Sequence, residues 1–464
     1  MIRPEHHASR RRALVSRLGA PALFVGNRIR QRNPANDFPF RQDSTFSWLT
    51  GCTVPGAALL LDGDREVLFA PPPSEDDLVW TGRIEPLADL GARLGFSDVR
   101  PVAELPAACE ALGRVPFALA VPDGDATALA AACTGLDLHY PDRSGPEALL
   151  RAIADLRNVK SAEEIAEMEA AARITAEAFR VAMAATVPGE TEATVAALVD
   201  AVMAARGAAP SFSTISTVHA EVLHNTDRSN RLEAGQLFCL DAGAEVPSGY
   251  AADVTRVWPV SGRFDPRQKA AYEAVFEANA AAVAACRPGA RYRHVHDTAS
   301  RVIARFLVDE GLLRCSPDAS VETGAHALFF PHGVGHLLGM DVHDLENLGD
   351  LAAYAPGRQR STQFGTRYLR LDLDLVPGMT VTIEPGFYVV PAIFARADFR
   401  DRFGALVDFD RAAQWVGFTG IRIEDDVLIE SDGPRVITTG IPRSVADVEA
   451  LVGTGLPASA RFRV

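Results

Sequence analysis

The chain of 464 residues is 48% apolar and 23% charged, so it can form two or three globular domains with substantial cores. Its formal net charge of −14 at pH 7 argues against a nucleic acid or an anionic membrane surface as the main partner. A divalent cation or a small polar substrate suits this charge better.

The N-terminal segment and the cysteines indicate the cellular compartment in which the protein is expected. Basic residues precede apolar ones at the N-terminus, but Arg17 interrupts the apolar stretch, which predicts an amphipathic helix from about Arg10 rather than a signal sequence. No apolar run approaches the ~20 residues that a membrane span requires. The six cysteines lie far apart without a CxxC pair, so neither a disulfide framework nor a cysteine zinc site is predicted. We expect a soluble, cytoplasmic protein with reduced thiols.

Residues 1–157 are predicted to form an N-terminal α/β domain. Strand-like segments alternate with helical ones, which favours a mostly parallel sheet. The strands are expected at 22–25, 57–61, 66–70 and 117–121, and a helix at 103–112. The domain contains no phosphate-binding glycine loop and no nucleophile elbow. We expect it to contribute packing, dimer contacts and one wall of a cleft.

Residues 158–464 are predicted to form a second domain of class α+β. Ser161 and Glu164 have the spacing of a capping box, and an alanine-rich helix is expected to follow to about Ala185. Further helices are expected at 192–206, 266–286 and 294–310. Strand-like segments that carry acids and histidines lie between these helices, in an order that is not simply βαβ.

An aspartate-bearing hairpin is predicted between Leu237 and Arg256. An apolar run ends at Asp241, the chain turns through Pro-Ser-Gly, and the returning arm begins with Asp253. Two carboxylates beside buried hydrophobic residues repel each other and lose hydration, unless a cation lies between them. A divalent metal ion between the two carboxylates would offset the repulsion and the lost hydration, so the hypothesis for this hairpin is a divalent metal site. Two solvated loop aspartates are the alternative for this stretch alone.

Three histidines, His332, His336 and His343, fall within twelve residues. The spacing of the first two matches a zinc-binding helix, but the glycines between and after them make a helix unfavourable there. A closely packed glycine-rich loop is therefore predicted. Structural histidines, in the core or on the surface, are the alternative.

Two later segments each place a carboxylate on one face of a strand. Thr382 and Glu384 share a face, and so do Arg422 and Glu424, with isoleucines opposite. One such strand is typical of a solvated sheet edge. Together with the hairpin and the histidine loop, however, the two strands supply four carboxylates and one imidazole. This oxygen-rich set suits two Mn²⁺-like ions that share bridging ligands.

The order of these motifs resembles that of the metal-dependent pita-bread peptidases, and within them prolidase and aminopeptidase P. DAG…DVTR, HGVGH…DVHD, TIEPG and GIRIEDD occur in the family's order, and PFRQDSTFSWLTGC and VWTG resemble its N-terminal domain. The resemblance implies a creatinase/aminopeptidase-like pita-bread catalytic domain, of class α+β, after a creatinase/prolidase-like N-terminal α/β domain. The metal ligands that it implies are Asp241, Asp253, His336, Glu384 and Glu424.

The resemblance also implies roles in catalysis and substrate binding. Glu384 is expected to take the proton of the attacking water, and His343 to stabilise the oxyanion. The residues expected to position the substrate are His224, His332, Arg370 and Arg422. Two alternatives are expected for Trp80, which either walls the proline pocket, in its own or a neighbouring subunit, or is a core tryptophan of its own domain.

Two stretches favour prolidase over aminopeptidase P. Arg370 ends the segment GTRYLR, which is similar to a prolidase segment whose last arginine binds the dipeptide carboxylate, and the tail TTGIPRSV is also prolidase-like. Thr45 stands where aminopeptidase P relatives often carry aspartate. A solvated surface position for Arg370 is the alternative.

The expected activity is hydrolysis of the Xaa-Pro bond by two divalent metal ions, foremost in dipeptides. Mn²⁺ is the expected metal, although Co²⁺ and Zn²⁺ can use the same ligands. The expected partners are a small peptide with proline at its second position and, from the resemblance, a second copy of the chain in a homodimer. The alternatives are an aminopeptidase P acting on longer peptides, and a metal-free creatinase-like hydrolase or inactive peptide-binding homologue.

Overall fold

The computed structural model describes residues 2–82, 85–141 and 146–462. Contacts divide the chain into two compact units. The first contains the residues up to Asn158 together with Leu345–Ala352, and the second contains Val159–Asp344 and the residues from Ala353 onward.

The first unit is built around a five-stranded sheet. In spatial order its strands are Val99–Pro101, Arg65–Ala70, Ala58–Asp62, Ala22–Val25 and Phe117–Ala118. A separate exposed hairpin pairs Gln31–Asn33 with Asn36–Asp37. Its α-helices are Pro4–Leu18, Ser44–Thr50, Glu75–Trp80, Leu87–Leu94, Leu105–Glu110, Gly124–Thr134, Glu147–Asn158 and, at the end of its second segment, Asp350–Ala353. Side chains such as Leu23, Leu60 and Phe69 form its buried core.

The expectation of a mostly parallel sheet was wrong. The three inner strands pair with one another in antiparallel fashion, and each of the two outer strands pairs in parallel with its inner neighbour. Ala58–Asp62 and Arg65–Ala70 are joined by a two-residue turn at Gly63, whose φ of +57° suits glycine. A parallel connection needs a crossover of a dozen or more residues, so this turn enforces a hairpin.

Three predicted bounds in this unit also needed correction. The N-terminal helix begins at Pro4 rather than near Arg10, since proline is well suited to the first helical position. The helix predicted at 103–112 is a 3₁₀ turn, Val102–Glu104, followed by Leu105–Glu110. The strand predicted at 117–121 is confined to Phe117–Ala118.

The second unit combines long helices with short antiparallel sheets, as the α+β prediction required. The helices are Ala162–Ala185, Glu192–Ala205, Pro266–Ala285, Tyr292–Asp309, Pro317–Thr323, Pro391–Phe394, Ala397–Phe403, Phe409–Ala413, Val445–Leu451 and Ala458–Arg461. The capping box is confirmed, because Ser161 Oγ accepts from the Glu164 N–H and Glu164 from the Ser161 N–H.

Antiparallel strands carry the residues of interest. One sheet contains Ile215–Thr217, Leu237–Ala242 and Val254–Pro259. A second sheet contains Thr380–Ile383, Asp425–Glu430 and Gly433–Val436. Two further strand pairs are Gly386–Tyr388 with Gly420–Arg422, and Ala209–Pro210 with Ala244–Glu245. The predicted aspartate hairpin is present, with Asp241 opposite Thr255. Its strands are buried along their whole length.

The two acidic strands are each interrupted, which periodicity did not predict. Thr380–Ile383 ends immediately before Glu384 and Pro385, and proline cannot donate to a sheet ladder. Gly420–Arg422 and Asp425–Glu430 pair with different strands, which leaves Glu424 at the break between them. Both glutamates therefore lie where the chain leaves one strand pair for another. Among the residues that the structure describes, no helix is long and apolar enough to cross a membrane.

Candidate metal centre and active site

Five carboxylate and imidazole side chains of the second unit converge on one buried place. Asp241 is the next-to-last residue of one strand of the hairpin, Asp253 immediately precedes the other, and Glu384 and Glu424 lie at the two strand breaks. His336 reaches the same place from the glycine-rich loop. Asp241, Asp253, His336 and Glu424 are buried, and the Glu384 side chain is 18% exposed.

The distances between these side chains suit a shared cation. One ligand atom each of Asp253, His336 and Glu424 lies within 4.8 Å of the other two. His336 Nε2 lies 3.4 Å from Asp253 Oδ2 and 3.8 Å from Glu384 Oε1. The negative charge of Asp241 raises the pKa of the neighbouring Asp253, so these two carboxyl groups lie near each other. The structure thus brings together all five of the residues that the sequence predicted as metal ligands.

Two buried carboxylate oxygens point to a positively charged occupant. Among the described residues, Asp241 Oδ1 and Asp253 Oδ1 have no hydrogen-bond partner. A buried charged oxygen without a donor is strongly unfavourable. Hard divalent cations bind carboxylate oxygens, so these residues fit such an ion.

The raised pKa values of the clustered carboxyl groups also indicate a positively charged occupant. Burial, reinforced by the neighbouring carboxylates, raises the pKa of Asp253 and of Glu424 well above their usual values. Burial also raises the pKa of Glu384 to about 7, although His336 and Arg422 oppose that shift. So many carboxylates cannot all be ionised at neutral pH without compensation, and bound divalent cations would supply it.

The orientation of His336 is fixed by its neighbours. Its Nδ1 lies 2.9 Å from the Leu337 carbonyl oxygen, which can only accept a hydrogen bond. Nδ1 therefore carries a proton, and Nε2 is directed toward the carboxylates of Asp253 and Glu384. Such a hydrogen bond to the second ring nitrogen is what orients histidine ligands in metal sites.

The segment that carries His332 and His336 is a closely packed loop and not a helix, as its glycines predicted. At Gly335, φ is +154°, and an added Cβ would lie 2.1 Å from the Thr382 carbonyl oxygen. The loop pairs with the neighbouring strand through the His336 carbonyl, which accepts from the Thr382 N–H at 2.9 Å. Glycine is thus required where the loop meets the strand.

Replacing Gly335 by alanine is expected to lower the free energy of unfolding by at least about 3 kcal/mol, because the clash involves backbone that cannot move freely. Urea unfolding measures the change. Gly124→Ala is the control, since Gly124 is helical and an added Cβ there meets nothing within 4 Å. Equal stability of the Gly335→Ala variant and the parent would contradict the packing described.

Arg422 links the cluster to the residues around it. Its Nη2 lies 2.5 Å from Asp241 Oδ2, its Nε donates to Thr255 Oγ1 at 2.9 Å, and its Nη1 donates to the Tyr388 hydroxyl at 3.0 Å. The Thr255 hydroxyl in turn donates to Glu424 Oε2 at 2.7 Å. Arg422 therefore holds Asp241 directly, and Glu424 through Thr255, in place.

His332 lies at the end of the same network. The Tyr388 hydroxyl lies 3.0 Å from its Nε2, and its Nδ1 lies 2.7 Å from the Gly333 carbonyl oxygen. Burial, together with the charge of Arg422, lowers the pKa of His332 to about 3, so the ring is neutral. Its Nδ1 is then the donor and its Nε2 the acceptor, with Tyr388 donating.

Sequence reasoning missed the roles of Thr255 and Tyr388. Thr255 lies two residues after Asp253, and Tyr388 lies two residues after Gly386. Because side chains two positions apart in a strand share a sheet face, each could have been placed on the same face as a residue of a recognised motif. Hydroxyl residues are common on strands, however, and their partners here are distant in sequence.

His343 and Arg370 lie beside the cluster. The ring centroids of His343 and His336 are 4.4 Å apart, and Arg370 Nη1 lies 3.5 Å from His343 Nδ1. Arg370 is half-buried, so it is not a fully solvated surface arginine. His224 lies at an exposed position, and desolvation, together with the charges of Arg422 and Arg370, lowers the pKa of its ring.

Trp80 belongs to the first unit and ends the helix Glu75–Trp80. Its side chain is 83% exposed, so the alternative of a core tryptophan was wrong. Leu78 and Val79 of the same helix are also exposed.

Family models match both parts of the chain. The model described as metallopeptidase family M24 matches residues 166–431, and the one described as aminopeptidase P, N-terminal domain, matches residues 7–115. The first match contains all five clustered residues.

Individual proteins are similar over nearly the full length. Xaa-Pro aminopeptidase 2 of Streptomyces coelicolor is 34% identical, with 96% of this chain and 90% of the relative covered. Human Xaa-Pro dipeptidase is 30% identical, with 89% and 84% covered. The solved structure of an aminopeptidase from Pseudomonas aeruginosa has a TM-score of 0.81 at 30% identity and covers 99% of this chain and 100% of its own.

Proposed function

The chain belongs to the metallopeptidase family M24, and we propose that it hydrolyses the peptide bond between an N-terminal residue and a following proline. The observation that carries this proposal is the convergence of Asp241, Asp253, His336, Glu384 and Glu424 on one buried place, in a chain whose relatives are named for Xaa-Pro substrates.

We propose that these five residues hold two divalent metal ions, with Mn²⁺ as the expected metal. The unpartnered oxygens of Asp241 and Asp253 and the raised pKa values of the carboxyl groups support this assignment. When bound, such ions supply Lewis acidity, which polarises a carbonyl group and makes a water molecule more acidic.

Glu384 is the proposed proton carrier. Its carboxylate accepts the proton of the attacking water and delivers it to the imino nitrogen of the departing proline. Burial raises the pKa of Glu384 to about 7, a value that suits a group which first accepts a proton and then donates it. Bound cations would lower this pKa. The half-buried position of the Glu384 side chain leaves it accessible to a substrate.

Histidines and arginines around the cluster are proposed to bind and orient the substrate. His343 would donate a hydrogen bond to the developing oxyanion, while His224, His332 and Arg422 position the peptide. The nitrogen of an Xaa-Pro bond carries no hydrogen, so the site must select proline by shape rather than through an N–H donor.

The comparisons favour longer peptides over dipeptides, whereas the sequence favoured dipeptides. The Streptomyces relative and the Pseudomonas structure are named aminopeptidases, and the N-terminal match is to the aminopeptidase P domain. We therefore propose aminopeptidase P activity. Dipeptidase activity is the second candidate, because Arg370 lies beside His343, where a guanidinium could hold a dipeptide carboxylate, and because human Xaa-Pro dipeptidase is also similar.

Substrate length and Arg370 can be tested together. The parent enzyme is expected to cleave Ala-Pro-Ala with a kcat/KM at least about 10-fold above that for Ala-Pro, a difference of about 1.4 kcal/mol in transition-state binding. Arg370→Ala is expected to lower both values by similar factors. A preference for Ala-Pro that Arg370→Ala removes by about 10²-fold, the loss of a charged bidentate contact, would establish dipeptidase activity instead.

We further propose a cytoplasmic homodimer. The six cysteines, all within the described part of the chain, are free thiols, as a reducing compartment favours. The exposed Trp80 is proposed to contact substrate at a proline pocket, in its own subunit or in the neighbouring one. An aromatic ring would pack well against the proline ring there.

A further inference from the structure

A fully buried ion pair lies outside the metal-ligand cluster. Lys160 Nζ lies 3.1 Å from Asp344 Oδ2, and each side chain is 1% exposed. Removing two charges from water is costly, and hydrophobic replacements of such pairs are often equally stable. The pair is therefore better explained by a need for a defined geometry than by a need for stability.

The composition of the chain makes this lysine unusual. Its 46 basic residues include two lysines, Lys160 and Lys269, and the others are arginines. Lys269 is exposed and lies 3.8 Å from Glu273, whereas Lys160 is buried. Lysine presents a compact ammonium group on a flexible stem, which an enclosed site can accept where the planar guanidinium group does not fit.

The backbone holds both members of the pair. The Lys160 N–H donates to the Gly378 carbonyl at 2.9 Å, and the Asp344 N–H donates to the Leu337 carbonyl at 3.0 Å. The Asp344 carboxylate also packs against Gly339, where an added Cβ would lie 2.3 Å from Oδ2. A backbone hydrogen bond thus joins the two ends of the loop between Leu337 and Asp344, and the ion pair connects this loop to Lys160.

This loop connects two residues of the site. It begins directly after His336, and His343 immediately precedes Asp344. The His343 ring lies against the His336 ring and within 3.5 Å of Arg370. We propose that Lys160 is a positioning residue for the reaction, because its ion pair with Asp344 holds the loop that presents His343 to the substrate. This inference rests on the proposed function, in which His343 acts on the substrate.

A double-mutant cycle with Lys160→Met and His343→Ala tests the proposal on an Xaa-Pro tripeptide. Lys160→Met is expected to lower kcat/KM about 10²-fold in the parent, as small misplacements of catalytic groups do, but by less than about 2-fold in the His343→Ala background. Lys269→Met is the matched control and is expected to leave kcat/KM unchanged. Metal content and thermal unfolding are measured for every variant, so that only folded, metal-loaded protein is compared.

The positioning role would be overturned if Lys160→Met lowered kcat/KM by the same factor in the parent and in the His343→Ala background. It would also be overturned if Lys160→Met left the kcat/KM of the parent unchanged. If Lys160→Met does not fold, the charge-free pair Lys160→Met with Asp344→Asn takes its place in the same cycle, with the same outcomes. Failure of the proposed function is recognised separately. In that case the parent enzyme itself, loaded with Mn²⁺, cleaves no Xaa-Pro peptide.

Discussion

Replacing Glu384 by glutamine is expected to lower kcat on an Xaa-Pro tripeptide at least about 10³-fold, because the amide cannot carry a proton from water to the leaving nitrogen. Glutamine keeps the size of the side chain, so the fold is expected to survive. KM is expected to change far less than kcat, since the lost interaction operates in the transition state. Steady-state kinetics on protein of verified metal content measure both values.

The control for this substitution is Glu430→Gln. Glu430 ends the neighbouring strand and pairs with Arg435 away from the cluster, so its loss is expected to leave kcat unchanged. A Glu384→Gln variant that binds the same amount of metal and retains more than about a tenth of the parental kcat would remove Glu384 from the proton-transfer role.

Removal of divalent metal with a chelator is expected to abolish activity, and added Mn²⁺ is expected to restore it. The loss should reach at least about 10³-fold, because the chain's own groups retain only proton transfer and substrate positioning without the Lewis acid. Activity assays on chelated and reloaded protein measure the effect. Full activity in chelated protein shown to be free of metal would support the metal-free hydrolase instead.

Metal removal is also expected to make stability depend on pH. In the metal-free protein the folded-state pKa values of Asp253, Glu384 and Glu424 are raised, so the folded state binds more protons than the unfolded state. Stability therefore falls as pH rises from the ordinary carboxyl range toward the raised values, which for Glu384 means up to about 7. Metal-free protein is expected to melt at a lower temperature at pH 8 than at pH 5.5, and Glu384→Gln to reduce this difference. A higher melting temperature at pH 8, or an undiminished difference in the variant, would contradict the burial of uncompensated carboxylates.

The sequence predicted features that local chemistry determines. The capping box at Ser161, the hairpin that bears Asp241 and Asp253, and the glycine-rich loop all follow from residues a few positions apart. Glycine between His332 and His336 argued against a helix, and the structure has a loop there. The ligand set came from the order of the motifs together with their family resemblance.

Features that depend on partners distant in sequence were not predicted. The orientation of the N-terminal strands and the break at Glu424 are decided by which strands pair, and periodicity within one segment does not contain that information. The same holds for the contacts from Arg422 to Thr255 and Tyr388, and for the pair of Lys160 with Asp344.

Preference for peptide length is a different kind of problem. It depends on a few kcal/mol of contact beyond the scissile bond, and the same five clustered residues serve either substrate. Arg370 supplied the sequence argument for dipeptides, but its position beside His343 is compatible with either role. Kinetic comparison of a dipeptide with a tripeptide decides this point.

We propose that Asp241, Asp253, His336, Glu384 and Glu424 together bind two divalent ions. Elemental analysis of the Mn²⁺-loaded protein after exhaustive dialysis, beside the Asp253→Asn variant, tests it most directly. Asn225→Asp, outside the cluster, controls for the substitution itself. We expect two ions per chain in the parent and fewer than one in Asp253→Asn. A parent that retains fewer than two ions, or a variant that retains both, would rule out a two-metal site formed by these five residues.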